Sequence, residues 1–350
     1  MISELPFQIP LPFSNSSLPI STYSIMLMIA FLVASFVAPR ELQRRGLDPE
    51  VADWSLLLAV VGAIVGSKVF FVFEIWDQIW KPAESMGFWQ TFKTVFFSVQ
   101  GLEGQVPGAR SLYNNLFTGS GLVFYGGFVF AFSMIYIYLR RRGLSIWRYG
   151  DAFMPSLALG YAIGRLGCLI SGDGCYGHGA SVNIPLLTMV YGPADGFCPA
   201  DPALSWKYPY MCSAGVNVWN TPMMESLLSL GLFLILMLWA RHQNFRPGML
   251  VAIFLVYNGF ARFMVEFLRL NDAVIPVLDP PTYETAYGLV KNLRTVPEEM
   301  GGRLPAYYFE NWHWYGFTQA QLTAVALIVI GVAWMVLGRL YKKQADGEAA

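Results

Sequence analysis

AFMPSLALGYAIGRLGCLI, residues 152–170, is apolar over a length that would cross a bilayer, yet it carries an arginine, Arg165, toward its end. A spanning helix needs about 20 mostly apolar residues. An arginine inside it costs at least ~2.5 kcal/mol unless a polar interior receives the charge. The stretch therefore predicts a membrane helix and a polar site that the helix faces. Similar runs lie near 21–38, 52–73, 121–139, 223–240, 249–267 and 319–340. The chain reads as an all-α, polytopic membrane protein of about seven transmembrane helices.

Composition agrees with this reading. Of 350 residues, 55% are hydrophobic and 13% charged, where a soluble domain carries roughly a quarter charged residues. The net charge is zero, so only the placement of charge is informative. Arg40, Arg44 and Arg45 follow the first run, and Arg140, Arg141, Arg142 and Arg148 the third. Arg241 and Arg246 follow the fifth, and Arg339, Lys342 and Lys343 the last. Every second connection is thus short and basic, and the positive-inside rule assigns these to the cytoplasm. The N-terminus is then outside and the C-terminus inside.

The segment before the first run has an acidic residue, several prolines and no basic residue. It lacks the charged start of a cleavable signal peptide, and the first run reads as a retained span. Residues 1–340 read as a single integral membrane domain and 341–350 as a cytoplasmic tail. Aromatic residues such as Trp76, Trp80, Phe88 and Trp89, with few charges around them, predict interfacial helices between the second and third runs. The long connections 171–221 and 268–317 predict a small external cap. In the first of these, Cys198 and Cys212 are candidates for a disulfide, with two thiols as the alternative and Cys175 as a competing partner.

Once the basic connections are set aside, Lys68, Arg165 and Arg262 remain inside apolar runs. The predicted topology puts all three in the outer half of the membrane, where a cationic pocket would suit an anionic headgroup. A planar guanidinium can pair two hydrogen bonds with phosphate. The alternative for each is snorkelling to the interface or an internal ion pair. In RFMVEFLR, Arg262, Glu266 and Arg269 are spaced i, i+4, i+7 and share a helix face. The glycines of ISGDGCYGHG break the helix just beyond Arg165, and those of GSGLVFYGGFVF permit close helix approach. His178, His242 and His313 are scattered and CxxC is absent, which argues against a metal site. No Walker or dinucleotide motif occurs, and nothing points to nucleic acid. Basic residues clustered toward one leaflet argue against an ion channel.

GRLGCLISGDGCYG resembles the signature GRxGNFxNGExxG of the prolipoprotein diacylglyceryl transferases, and ARFMVEFLR resembles their FRxxxEFxR. GSKVFFVF is similar to GGRxxYVxFY, and NTPMMESLL to HPTPLYExLL. The resemblance implies a seven-span enzyme of the bacterial inner (plasma) membrane, its active face toward the periplasm or cell exterior. Such an enzyme moves the diacylglyceryl group of phosphatidylglycerol onto the lipobox cysteine thiol of a prolipoprotein, and no cofactor is implied. Carried over residue by residue, the resemblance makes Arg165 a phosphate ligand and Arg262 a second essential arginine with Glu266 as its neighbour. It puts Lys68 at a position usually held by arginine, and Glu225 at the glutamate that opens the fifth span. Gly172 and Asp173 fall in the signature loop as binding residues.

Besides Lys68, five positions depart from the pattern, among them Asp173, which replaces the signature glutamate and is followed by one extra residue, Gly174. Tyr125 stands where the family has a histidine, Cys168 and Ser171 where it has asparagines, and Trp219 where a histidine precedes the fifth span. Tyr125 is expected to orient the substrate by hydrogen bonding, and a packed aromatic is the alternative. Asp173 and His178 are other candidate bases. A non-catalytic phospholipid-binding or transport protein on the same fold is the second reading.

Overall fold

A computed structural model describes residues 4–10, 17–74, 89, 124–172, 175–191, 213, 215–278, 283–285, 288–290 and 312–341, with backbone alone at 4–21, 72, 74, 124–125, 283–285 and 288–290. Each apolar run coincides with a helix. These are α1 Thr22–Arg44, α2 Glu50–Glu74, α3 Phe124–Arg141, α4 Ile146–Ser171, α5 Thr221–Leu238, α6 Met249–Glu266 and α7 Gln319–Leu337. Among the described residues, six helices are long and apolar enough to cross a membrane; α3, whose last turn holds Arg140 and Arg141, is not among them. Only 17–33% of each apolar window is buried within the chain. Large side chains such as Leu32, Phe36 and Leu238 face outward, as lipid-facing residues do.

The helix ends follow from local chemistry. Asn220 caps α5, its side-chain oxygen accepting from the Met223 N–H at 3.3 Å, and Pro222 occupies the first turn, where no N–H is missed. Thr318 and Gln321 form a capping box at the start of α7. Gly172 ends α4 with φ +66°, a left-handed conformation that glycine adopts without steric penalty, and donates to the Cys168 carbonyl at 3.1 Å.

The chain forms two compact units. Leu47–Ile146 is one, in which α2 and α3 pack closely. A Cβ on Gly62 would lie 2.6 Å from the Ala131 Cα, and one on Gly127 2.9 Å from the Ala63 carbonyl, so small residues set this contact.

Met1–Gly46 with Trp147–Ala350 is the other. Here Ser226 and Ser229 of α5 donate to the Ala162 and Ala158 carbonyls of α4 at 2.9 and 2.8 Å, hydrogen bonds that tie two helices inside the apolar region. Asp151, buried on α4, accepts from the Gly248 and Val251 N–H groups at 2.8 and 3.0 Å and so caps the start of α6. Gly259 lets α6 approach α7 at Ala324 and Ile328. At this end of the bundle Glu41 of α1 takes Arg44 and Arg45 at 2.8 and 3.0 Å and Arg241 at 3.6 Å.

Short strand pairs, absent from the sequence reading, supplement the helices. β1 Glu4–Pro10 pairs with β2 Ser17–Ser21, β3 Thr188–Val190 with β4 Asn217–Trp219, β5 Ile275–Pro276 with β8 Gly316–Phe317, and β6 Tyr283–Thr285 with β7 Gly288–Val290, all antiparallel. The two long connections share one aromatic core: Tyr176, Tyr191 and Val218 from the first pack with Trp312 and Tyr315 from the second. Most of the expected interfacial segment between α2 and α3 lies outside the described residues, as do Cys198 and Cys212.

Candidate active site

α4 and α5 each bring one charged residue, and α6 two, to the end of the bundle opposite Asp151. α4 ends soon after Arg165, α5 begins shortly before Glu225, and α6 ends at Glu266, one turn past Arg262. Their antiparallel order puts these positions at one level. Glu225 is the shared partner. Its Oε1 accepts from Arg262 Nη1 at 2.5 Å and from Arg269 Nη1 at 3.3 Å. Its Oε2 accepts from the Tyr161 hydroxyl at 2.7 Å and pairs with Arg165 Nη2.

Glu266 forms a second level of the network. Its Oε2 lies 3.0 Å from Arg262 Nη2 and 3.9 Å from Arg269 Nε. Its Oε1 accepts from Asn271 Nδ2 at 2.6 Å and from the Thr318 hydroxyl at 2.9 Å, which joins the site to the cap of α7. Both carboxylate side chains are at most 4% exposed, and the three arginine side chains 13–25%. Three guanidinium groups against two carboxylates leave this cluster with an excess positive charge. A partly exposed, low-dielectric setting of this kind attracts an anion strongly.

Tyr161 Oη also accepts from Arg165 Nε at 3.1 Å, so its hydroxyl bridges the arginine and the shared carboxylate beside their direct contact. Arg165 Nη1 lies 3.8 Å from Cys168 Sγ, a weak acceptor where the signature has asparagine. Beyond α4, Gly177 is bridged to Arg269. Next to that bridge Tyr176 joins the aromatic core. His178 donates from Nδ1 to the Gly179 carbonyl at 2.8 Å, which leaves Nε2 as the acceptor. Burial holds this ring below its ordinary pKa, against the opposing effect of that bond.

Arg165, Arg262 and Glu266 are thus brought together. Gly172 shapes the turn after Arg165 and offers no side chain. Lys68 is half-buried on α2 of the other unit, where Tyr125 lies in the first turn of α3 with its side chain outside the described atoms; Asp173 is also outside them. Two residues exceed the sequence reading. Tyr161 looks like an ordinary aromatic of a membrane span, and its i, i+4 spacing to Arg165 was the available signal. Glu225 was readable only through the resemblance, and nothing in its spacing shows that three arginines converge on it.

The profile of the family described as prolipoprotein diacylglyceryl transferase matches residues 10–337. This chain belongs to that family. It is 43% identical over 346 residues to a phosphatidylglycerol–prolipoprotein diacylglyceryl transferase of Leptospira interrogans, covering 96% of this chain and 98% of the relative. Relatives of the same name in Geobacillus kaustophilus and Clostridium perfringens (there numbered 2) are 28% and 27% identical. They cover 72% and 73% of this chain, and 78% and 80% of their own lengths. Within this transferase family member the arginine network lies inside the matched region.

Proposed function

We propose that the chain transfers the diacylglyceryl group of phosphatidylglycerol to the lipobox cysteine thiol of a prolipoprotein. We assign it seven spans, the N-terminus outside, in the inner membrane of a bacterium, with the reaction on the periplasmic or exterior face. The observation that carries this reading is the excess positive charge of three arginines sharing Glu225 at one end of the bundle. It supports binding of a lipid phosphate by Arg165 and Arg262, with Arg269 behind them.

The chemistry follows from that placement. The thiolate sulfur attacks the diacylglyceryl carbon that bears the phosphate. The new C–S bond forms as the C–O bond breaks, and its electron pair leaves on glycerol phosphate. A phosphate monoester is a weak base, with a second pKa near 6, so the departing oxygen needs charge stabilisation more than a proton. Fixed guanidinium groups supply that without reorganising during the reaction. The thiol, with an ordinary pKa of about 8.5, is already a few per cent ionised at neutral pH, and the positive field raises this share. Glu225 and Glu266 hold the arginines in position. Lys68 and Asp173 are assigned to lipid binding and Tyr125 to orienting the substrate.

The test is transfer from phosphatidylglycerol to a lipobox peptide by the purified chain. Arg165→Ala should abolish transfer, whereas Arg44→Ala, at the far end of the bundle, should not. Lipid binding without transfer by the unaltered chain, or equal activity of the two variants, would sink the reading.

A further inference from the structure

One turn deeper in the bundle than Glu225, a small open cleft is lined by Tyr161, Glu225, Ser229, Tyr257, Asn258 and Arg262, with an aliphatic wall; its cavity volume is about 10 Å³. That is room for about one water-sized group, far below the ~300–1,000 Å³ of a site that encloses a whole small ligand. It can therefore receive a single polar atom of a larger molecule whose anion sits among the arginines.

Two of its side chains have no part in the ion network. The Asn258 amide and the Tyr257 hydroxyl make no hydrogen bond to other described residues, and neither is sealed from access. Polar groups within a membrane span are unfavourable unless a partner satisfies them, so both await an acceptor. Tyr257 reaches this place because Gly231 leaves room: a Cβ there would lie 3.2 Å from its hydroxyl oxygen. Asn258 precedes Arg262 by four residues. The two share a face of α6 and stand ~6 Å apart along its axis.

The occupant must be uncharged, because no cation lines the pocket beyond Arg262. It must accept hydrogen bonds, and it must lie a few bonds from the anion on the side of the bilayer interior. In a phospholipid the acyl-ester carbonyl meets these conditions. We propose that Asn258, assisted by Tyr257, donates to an acyl-ester carbonyl of the bound phospholipid and so selects ester-linked over ether-linked lipid. This rests on the reading of the arginine network as the phosphate site.

The test compares diacyl phosphatidylglycerol with its dialkyl ether analogue, which lacks the carbonyl, using the full chain in detergent. The unaltered protein should favour the ester about tenfold in kcat/KM, the value of one good buried hydrogen bond. Asn258→Leu should erase most of that preference by losing activity on the ester alone, and Asn258→Gln, which keeps the donors, should retain part of it. A ratio unchanged by Asn258→Leu, or no preference in the unaltered protein, overturns the proposal. Competition binding of the same two lipids separates the readings. If the unaltered protein binds the ester preferentially but transfers nothing, the transferase reading fails and the Asn258 assignment is still decided by whether Asn258→Leu abolishes that binding preference.

Discussion

Replacing Glu225 by glutamine tests the site most directly. The substitution keeps size and shape and removes the charge on which Arg165, Arg262 and Arg269 converge. The glutamine still offers one oxygen, but its amide N–H groups now face donors. Removing one partner of a buried ion pair costs about 3–5 kcal/mol, because the other charge is left uncompensated. At 2–4 °C per kcal/mol, the melting temperature in detergent should fall by roughly 10 °C. The loss should extend to catalysis. Guanidinium groups released from a common anchor drift from the position they must hold around the phosphate, and misplacement of about 1 Å costs roughly 100-fold in rate. Glu41→Gln is the control. That carboxylate is also buried and also serves three arginines, but at the other end of the bundle. Both variants should melt early. Only Glu225→Gln should lose kcat/KM per folded molecule, measured as diacylglyceryl transfer to a lipobox peptide. Equal kcat/KM in the two variants would refute the view that the arginine network is the site.

Tyr161→Phe removes the hydroxyl that bridges Arg165 and Glu225 and leaves their direct contact in place; kcat/KM should fall about 10-fold, as for one hydrogen bond to a charged group, with little change in melting temperature. His178 provides a pH test outside the spans. Its folded pKa is lowered, chiefly by burial. As pH falls below about 6.5 the unfolded chain takes up a proton that the folded cap resists, so stability is lost in that window and regained as pH rises. Proteolysis of the cap should accelerate between about pH 7.5 and 5.5 in the unaltered protein and change less in His178→Gln.

The spans were legible because apolar length is a one-dimensional property: α5 and α6 begin and end within two residues of the runs read from sequence, whereas α4 starts six residues earlier, through the polar turn that holds Arg148 and Asp151. The meeting of Arg165 with Arg262 was legible as well, as two costly charges placed at one depth by helix direction. What joins them was hidden. Glu225 stands near the start of α5, where a glutamate ordinarily meets water, and its partners come from α4, α6 and the connection after α6. The strands of the cap are three residues long or less and have no alternation to read. Their cohesion comes from aromatic packing between Tyr176, Tyr191, Trp312 and Tyr315 across distant segments. Lys68, grouped with the arginines by depth, belongs to the unit formed by α2 and α3.

The position of Glu225 on the helix after Arg165 bears on biogenesis. Chains emerge from the ribosome N-terminus first, so α4 reaches the membrane before its counter-ion exists. An arginine opposes insertion by about 2.5–3.5 kcal/mol at the centre of a span and by less toward its end, where Arg165 stands, and the mean hydropathy of α4 is 1.4 against 1.9 for α5. Stable residence of α4 in the bilayer thus depends on α5 delivering a carboxylate and on α6 closing the group. The three helices are therefore expected to settle in the membrane together. A chain truncated after α4 should be extracted from membranes more readily than one truncated after α6.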